Sequence, residues 1–349
     1  MPENILSLID NLLTPIFLYL NNLNFTVSVV GVIANLFHLS VLFRKPMRIL
    51  TINIFMIGIA LCDLCKMISV IFTAIINYYQ SVIQSQMPTE CFQRSISNIY
   101  RTYNNQFMLK GIRFSKKLSV WLAVSLAILR AVVIKYPINT KIQDFTSSAH
   151  GIRIFLLICL MNSPLWYLQN RFSIDEQEKW TTPIECLNFT ENSTQIIYLE
   201  NSSGLDYSTS LLIDGIIPSI LLPLSTIVLL YELKKIKKLT ASTNSRSTDN
   251  NTRTTKLVCF VTITFLISTV PLGILYLIEM IFFDTDGLDI IRKISSIFKL
   301  ISLINGTIHF LICFFMSTLY RKTVKEMFGM QPHNGNLINV QPTFRKSEI

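Results

Sequence analysis

An aspartate, Asp63, stands inside the apolar run IGIALCDLCKMISVIF, and an arginine, Arg130, closes the run LSVWLAVSLAILR. A charge held in hydrocarbon costs on the order of 2.5 to 3.5 kcal/mol even on the lenient insertion scale, so each of these groups must pair, bind a cation or face water. Four more cations, Lys110, Arg113, Lys116 and Lys117, fall at helical spacing at the head of the run that ends in Arg130. Two readings are open for them. They snorkel into water from the end of a span, or they form a charged mouth for a ligand bearing carboxylate, carbonyl or amide groups, with Asp206, Asp214 and Glu279 close by. Catalytic patterns are missing: the chain has no HExxH, no nucleophile elbow and no phosphate loop, so an enzyme is not expected.

The elements that position these residues are membrane spans. Hydrophobic residues make up 50% of the 349 residues and charged ones 15%, with a mean hydropathy of +0.46. A soluble domain carries about a quarter charged residues. The apolar runs predict seven spans, at 25–43, 49–76, 107–136, 152–168, 209–231, 257–283 and 294–316, the fourth weakened by Asn162 and Pro164. The expected fold is therefore an all-α membrane protein, a seven-transmembrane helix bundle with a short amphipathic eighth helix at 317–328. Tyr320, Val324, Met327 and Phe328 share the apolar face of that helix, which suits it to lie on membrane lipid. Residues 1–24 lack Lys and Arg and read as an extracellular N-terminus rather than a cleavable signal peptide, and 329–349 read as a cytoplasmic tail. Glu232 to Lys256, basic and rich in Ser and Thr, reads as a mobile loop and a phosphorylation target.

Lysines and arginines gather after the first, third, fifth and seventh runs, as at Arg44, Lys45 and Arg48 and again at Lys234, Lys235, Lys237 and Lys238. The positive-inside rule then puts the N-terminus outside and the C-terminus inside a plasma membrane, and explains the net charge of +10 without a nucleic-acid partner. Sequons at Asn188, Asn192 and Asn201 fall together in one outer connection, and Asn24 begins another close to the membrane. Cys62, Cys65, Cys159, Cys259 and Cys313 lie in apolar runs and read as packing residues, the CxxC spacing of the first two included. Cys91 and Cys186 lie in outer connections, where oxidation is allowed, and are expected to form a disulfide. No metal cluster is expected.

Specific residues then carry a resemblance. Gly31-Val32-Ile33-Ala34-Asn35 resembles the first-helix asparagine motif of rhodopsin-like G-protein-coupled receptors, and Ala60-Leu61-Cys62-Asp63 resembles their second-helix aspartate motif. Arg130 with Pro137 resembles the arginine motif at the inner end of the third helix, and Pro271 the sixth-helix proline. The stretches SVWLAVSLAILRAVVIKYP, RTTKLV, STVPLGILYLIE and MSTLYRKTVKEMF are similar to the nematode serpentine receptor class W group, whose members are similar to FMRFamide-type peptide receptors. There are departures: Leu129 replaces the usual acid and Ala131 the usual Tyr, His309-Phe310 replaces Asn-Pro, Cys313 replaces Tyr, and Ser268-Thr269-Val270-Pro271 lacks an aromatic.

The resemblance implies a receptor for an extracellular neuropeptide that signals through a heterotrimeric G protein at Arg130, with arrestin and kinases as further partners. A receptor for small environmental chemicals is the alternative. A transporter is the reading from another class, but no half-to-half repeat supports it. The resemblance also implies that Asp63, Asn35, Ser119 and Asn305 form a polar centre that holds a sodium ion. Against the ion stands a hydrogen-bonded cluster in which His309 supplies the countercharge or a donor. The disulfide is checked with Cys91→Ser: surface expression of a tagged chain should fall, and Cys186 should become reactive to a membrane-impermeant thiol reagent.

Overall fold

The computed structural model describes residues 3–85, 96–136, 139, 148–171, 174–180, 195–200, 216–240, 246–281 and 288–330. In chain order they form α1 (Glu3–Leu42), α2 (Thr51–Gln84), α3 (Ile96–Lys135), α4 (Ser148–Arg171), the strands β1 (Ile174–Trp180) and β2 (Gln195–Glu200), α5 (Ile217–Thr240), α6 (Arg246–Ile281), α7 (Leu288–Met316) and α8 (Thr318–Met327). Six of the helices hold an apolar stretch long enough to cross a membrane: Tyr19–Leu42, Thr51–Tyr79, Phe114–Lys135, Ile217–Lys235, Thr255–Leu275 and Lys293–Met316. A seventh, Ala149–Ser163 in α4, is shorter, in keeping with the weakness of the fourth run. The result is an all-α multi-pass bundle.

Helices are the natural outcome because a span without water must satisfy every backbone group within itself. The outward faces follow from the same solvent. Leu156, Leu157, Leu160 and Met161 on α4, and Ile220, Leu224, Ile227, Val228 and Tyr231 on α5, are all more than half exposed and recur every three or four residues. Hydrocarbon solvates such stripes, whereas water would not.

Inside the bundle α3 is central, touching α2, α4, α5 and α6. Leu122, Ala123, Leu126 and Ala127 on α3 are fully enclosed. Around it α1 meets α2 and α7, α5 meets α6, and α6 meets α7, while α4 packs on α2 and α3.

Several elements run further than hydropathy suggests. The first helix begins at Glu3 and continues through Pro15 into the apolar stretch. The mobile loop expected over Glu232 to Lys256 is instead mostly helix, since α5 runs to Thr240 and α6 starts at Arg246. Glu, Lys and Leu in ELKKIKKL are good helix formers, and adding residues to an existing helix avoids the cost of nucleation. The long connection after α4 contains an antiparallel pair, with Ile174 opposite Glu200 and Trp180 opposite Gln195. The polar run IDEQEKW hides its strand character, which only QIIYLE displays.

The short α8 has a complete set of end contacts. The Ser317 hydroxyl accepts from the Tyr320 amide at 3.2 Å, an N-cap, and Gly329 at φ +66° supplies the left-handed residue that stops the helix. Tyr320, Thr323 and Val324 are buried, while Arg321, Lys322, Lys325 and Glu326 face outward. The Tyr320 hydroxyl and Nδ1 of buried His38 on α1 share a 2.9 Å hydrogen bond. Burial, with Cys313 as a smaller cause, pushes the Tyr320 phenol well above its ordinary value, so it keeps its proton for that bond. Phe328, though more than half exposed, stacks on Phe37 of α1 at 6.3 Å. Replacing Tyr320 by Phe leaves the His38 nitrogen unpaired in the core, which costs about 1–3 kcal/mol. The variant should therefore unfold at a lower temperature than the parent in a detergent thermal-shift assay, with Tyr320→Ala lower still.

Candidate functional site

Asp63 is the acid of α2, and its side chain lies in the interior. One turn along the same helix, at the spacing that puts two side chains on one face, stands Lys66. Lys66 Nζ donates to Asp63 Oδ1 at 2.8 Å and reaches across to the Ser302 carbonyl of α7 at 3.3 Å. From α7, His309 Nδ1 stands 3.1 Å from Asp63 Oδ2, within ion-pair reach but off hydrogen-bond alignment. Asp63, Lys66 and His309 are 1%, 6% and 1% exposed, so neither water nor lipid serves them.

Backbone geometry makes this meeting possible. A Cβ on Gly306 of α7 would stand 2.8 Å from Asp63 Cγ, so only glycine lets the carboxyl lie this close. Asn35 Nδ2 on α1 donates to the Gly306 carbonyl at 3.1 Å and to its own Gly31 carbonyl at 2.9 Å. Phe265 of α6 packs on the His309 ring, with centroids 5.2 Å apart. One cluster thus touches α1, α2, α6 and α7.

Of the four residues expected around a sodium ion, Asp63 and Asn35 share this site through Gly306. Ser119 is buried but donates within its own helix, to the Lys116 carbonyl at 2.9 Å, and the buried Oδ1 of Asn305 has no hydrogen-bond partner among the described residues. Sodium, a hard cation, takes oxygen ligands. Here nitrogen groups stand at both oxygens of the carboxylate, and one of them is an ammonium. The donor set does not fit a sodium ion. His309 was legible as a source of countercharge; Lys66 was missed, although a base three residues after an acid in an apolar run is a visible signal.

Toward the other end of α3, the apolar stretch begins at Phe114, so Lys116 and Lys117 fall inside it. Lys117 is only 3% exposed and Lys116 is half-buried. Lys117 is therefore enclosed by protein instead of snorkelling along lipid. The side chains of Lys110, Arg113 and Glu279 lie outside the described residues, as do Asp206 and Asp214 altogether. Cys91, Cys186, Asn188, Asn192 and Asn201 also lie outside them, whereas Asn24 sits on α1 within the stretch Tyr19–Leu42.

Near the C-terminal end of α3, Arg130 is 8% exposed and lines a small cleft with Leu50, Thr51, Ile52, Leu129 and Val133. Its Nε has no hydrogen-bond partner among the described residues, and no acid there pairs with it. Leu129, the apolar neighbour in place of an acid, accounts for part of that isolation.

A family model described as serpentine type 7TM GPCR chemoreceptor Srw matches residues 22–331. No curated protein matches the chain.

The fit at Gly306 generates a direct check. Gly306→Ala forces a methyl against the carboxyl group, and overpacking of this kind costs about 1–3 kcal/mol before any loss of the ion pair is counted. Surface expression of a tagged Gly306→Ala chain, read by flow cytometry, should fall well below that of Gly111→Ala, whose added methyl meets only the Ser69 hydroxyl at 3.9 Å.

Proposed function

We propose that this chain, which belongs to the Srw family of serpentine seven-helix chemoreceptors, detects a small extracellular chemical and signals through an intracellular G protein. The match of a chemoreceptor family model to residues 22–331 carries the reading. It favours a small environmental molecule over the neuropeptide that the sequence motifs suggest. Lys117, enclosed in the bundle, suits a carboxylate on a peptide and one on a small acid alike, so it does not separate the two readings.

In the orientation that the lysine and arginine distribution supports, Lys117 lies toward the outside and Arg130 toward the cytoplasm. Ligand contact at the outer half, for which the sequence offers Lys110, Arg113, Lys116, Lys117, Asp214 and Glu279, is then separated from G-protein contact by the length of α3. Movement of α6 about Pro271 is the step that would open the inner end. Arg130 has no ion pair to break among the described residues, so it is already disposed to meet a partner. The Cys91–Cys186 disulfide and glycans at Asn188, Asn192 and Asn201 belong to the outer surface in this arrangement.

Cells carrying the receptor and a promiscuous G protein should respond to members of a panel of small organic acids and odorants, and Lys117→Gln should weaken an acid's potency at least about tenfold, the value of a single lost charged contact. A response confined to a peptide library would overturn the chemoreceptor reading. Arg130→Ala should abolish nucleotide exchange on the G protein while leaving surface expression unchanged, because it removes a buried cation that no acid balances among the described residues.

A further inference from the structure

A buried carboxylate can be balanced by a bound ion or by a cation on the chain itself. Four observations bear on which applies at Asp63. Lys66 Nζ is hydrogen-bonded to the carboxylate at 2.8 Å and also reaches the Ser302 carbonyl at 3.3 Å, so it joins α2 to α7. His309 occupies the second oxygen at 3.1 Å. Gly306 lets α7 approach the carboxyl group so closely that a Cβ there would stand 2.8 Å from its carbon. Asp63 and Lys66 together carry no net charge, so a sodium ion added beside them would be an uncompensated charge in a buried site, where such charges are most costly.

We propose that Lys66 is a tethered counter-ion that occupies the position an inorganic cation would need, joins α2 to α7 itself and makes the resting bundle indifferent to sodium. The amino group is present at fixed stoichiometry, so its occupancy does not follow the ionic composition outside the cell. A chemoreceptor exposed to variable salt would keep the same resting state. The claim concerns the bundle alone and holds whichever ligand the receptor takes.

The test is thermal unfolding of the purified full-length receptor in sodium chloride and in N-methylglucamine chloride at equal ionic strength. A ligand that binds the folded form raises the midpoint as its concentration increases, and one that does not bind leaves it in place. The parent chain should show the same midpoint in both salts. Lys66→Ala, which frees the carboxylate and the space beside it, should be destabilised and should regain several degrees in sodium only. A sodium-dependent rise in the parent, or a Lys66→Ala chain that behaves as the parent does in both salts, overturns the proposal. If Lys66→Ala does not yield folded protein, Lys66→Met is compared with Asp63→Asn/Lys66→Met. Removing both charges should recover much of the folded yield lost on removing one, and a double variant no better than the single overturns the pairing.

Discussion

Asp63 carries its charge at a depth where neither water nor lipid can solvate it, and balancing that charge dictates how the helices around it meet. An isolated ion in such a place would cost many kcal/mol, and even a well-made pair does little more than break even against apolar packing. The cluster is therefore poor evidence for stability and better evidence for specificity. Lys66, Ser302, His309, Gly306 and Asn35 meet only when α1, α2 and α7 stand at one rotation and one height. A slip of α7 would part the Lys66 ammonium from the Ser302 carbonyl and His309 from Asp63, and a slip of α1 would part Asn35 from Gly306.

The central helix has a different task. Its apolar stretch, Phe114–Lys135, is packed with Leu122, Ala123, Leu126 and Ala127, all fully enclosed, with Lys116 and Lys117 toward one end of that stretch and Arg130 toward the other. Lys117 and Arg130 are both buried, more than three turns apart on one rigid rod, so an event at one end is mechanically continuous with the other. The polar cluster stands beside this rod, and Phe265 brings α6 into contact with it through His309. Helix α6 thus leans on a residue of the cluster.

The element that follows the seventh span is tied into the same frame. The Tyr320–His38 bond and the Phe37–Phe328 stack hold α8 beneath α1, so α8 reports on the first span as well as on the seventh from which it emerges. The helical extensions of α5 and α6 run past their apolar stretches, to Thr240 and from Arg246.

The spans, their amphipathic companion and the family motifs were legible in the sequence because hydropathy and helical period are local properties, summed over twenty residues and insensitive to error in any one of them. The boundaries of α1, α5 and α6 were less legible, since helices grow past hydrocarbon for reasons of propensity that hydropathy does not register. Even Lys66 was within reach, being three residues from Asp63 on one helix. Only the tertiary structure decided that Gly306 would admit the carboxyl, that Ser302 would share the ammonium, that Ser119 would turn back to its own helix and that Lys117 would be enclosed. Each depends on the rotation and offset of two helices, fixed by contacts between residues far apart in the chain, and a one-dimensional pattern holds no measure of either.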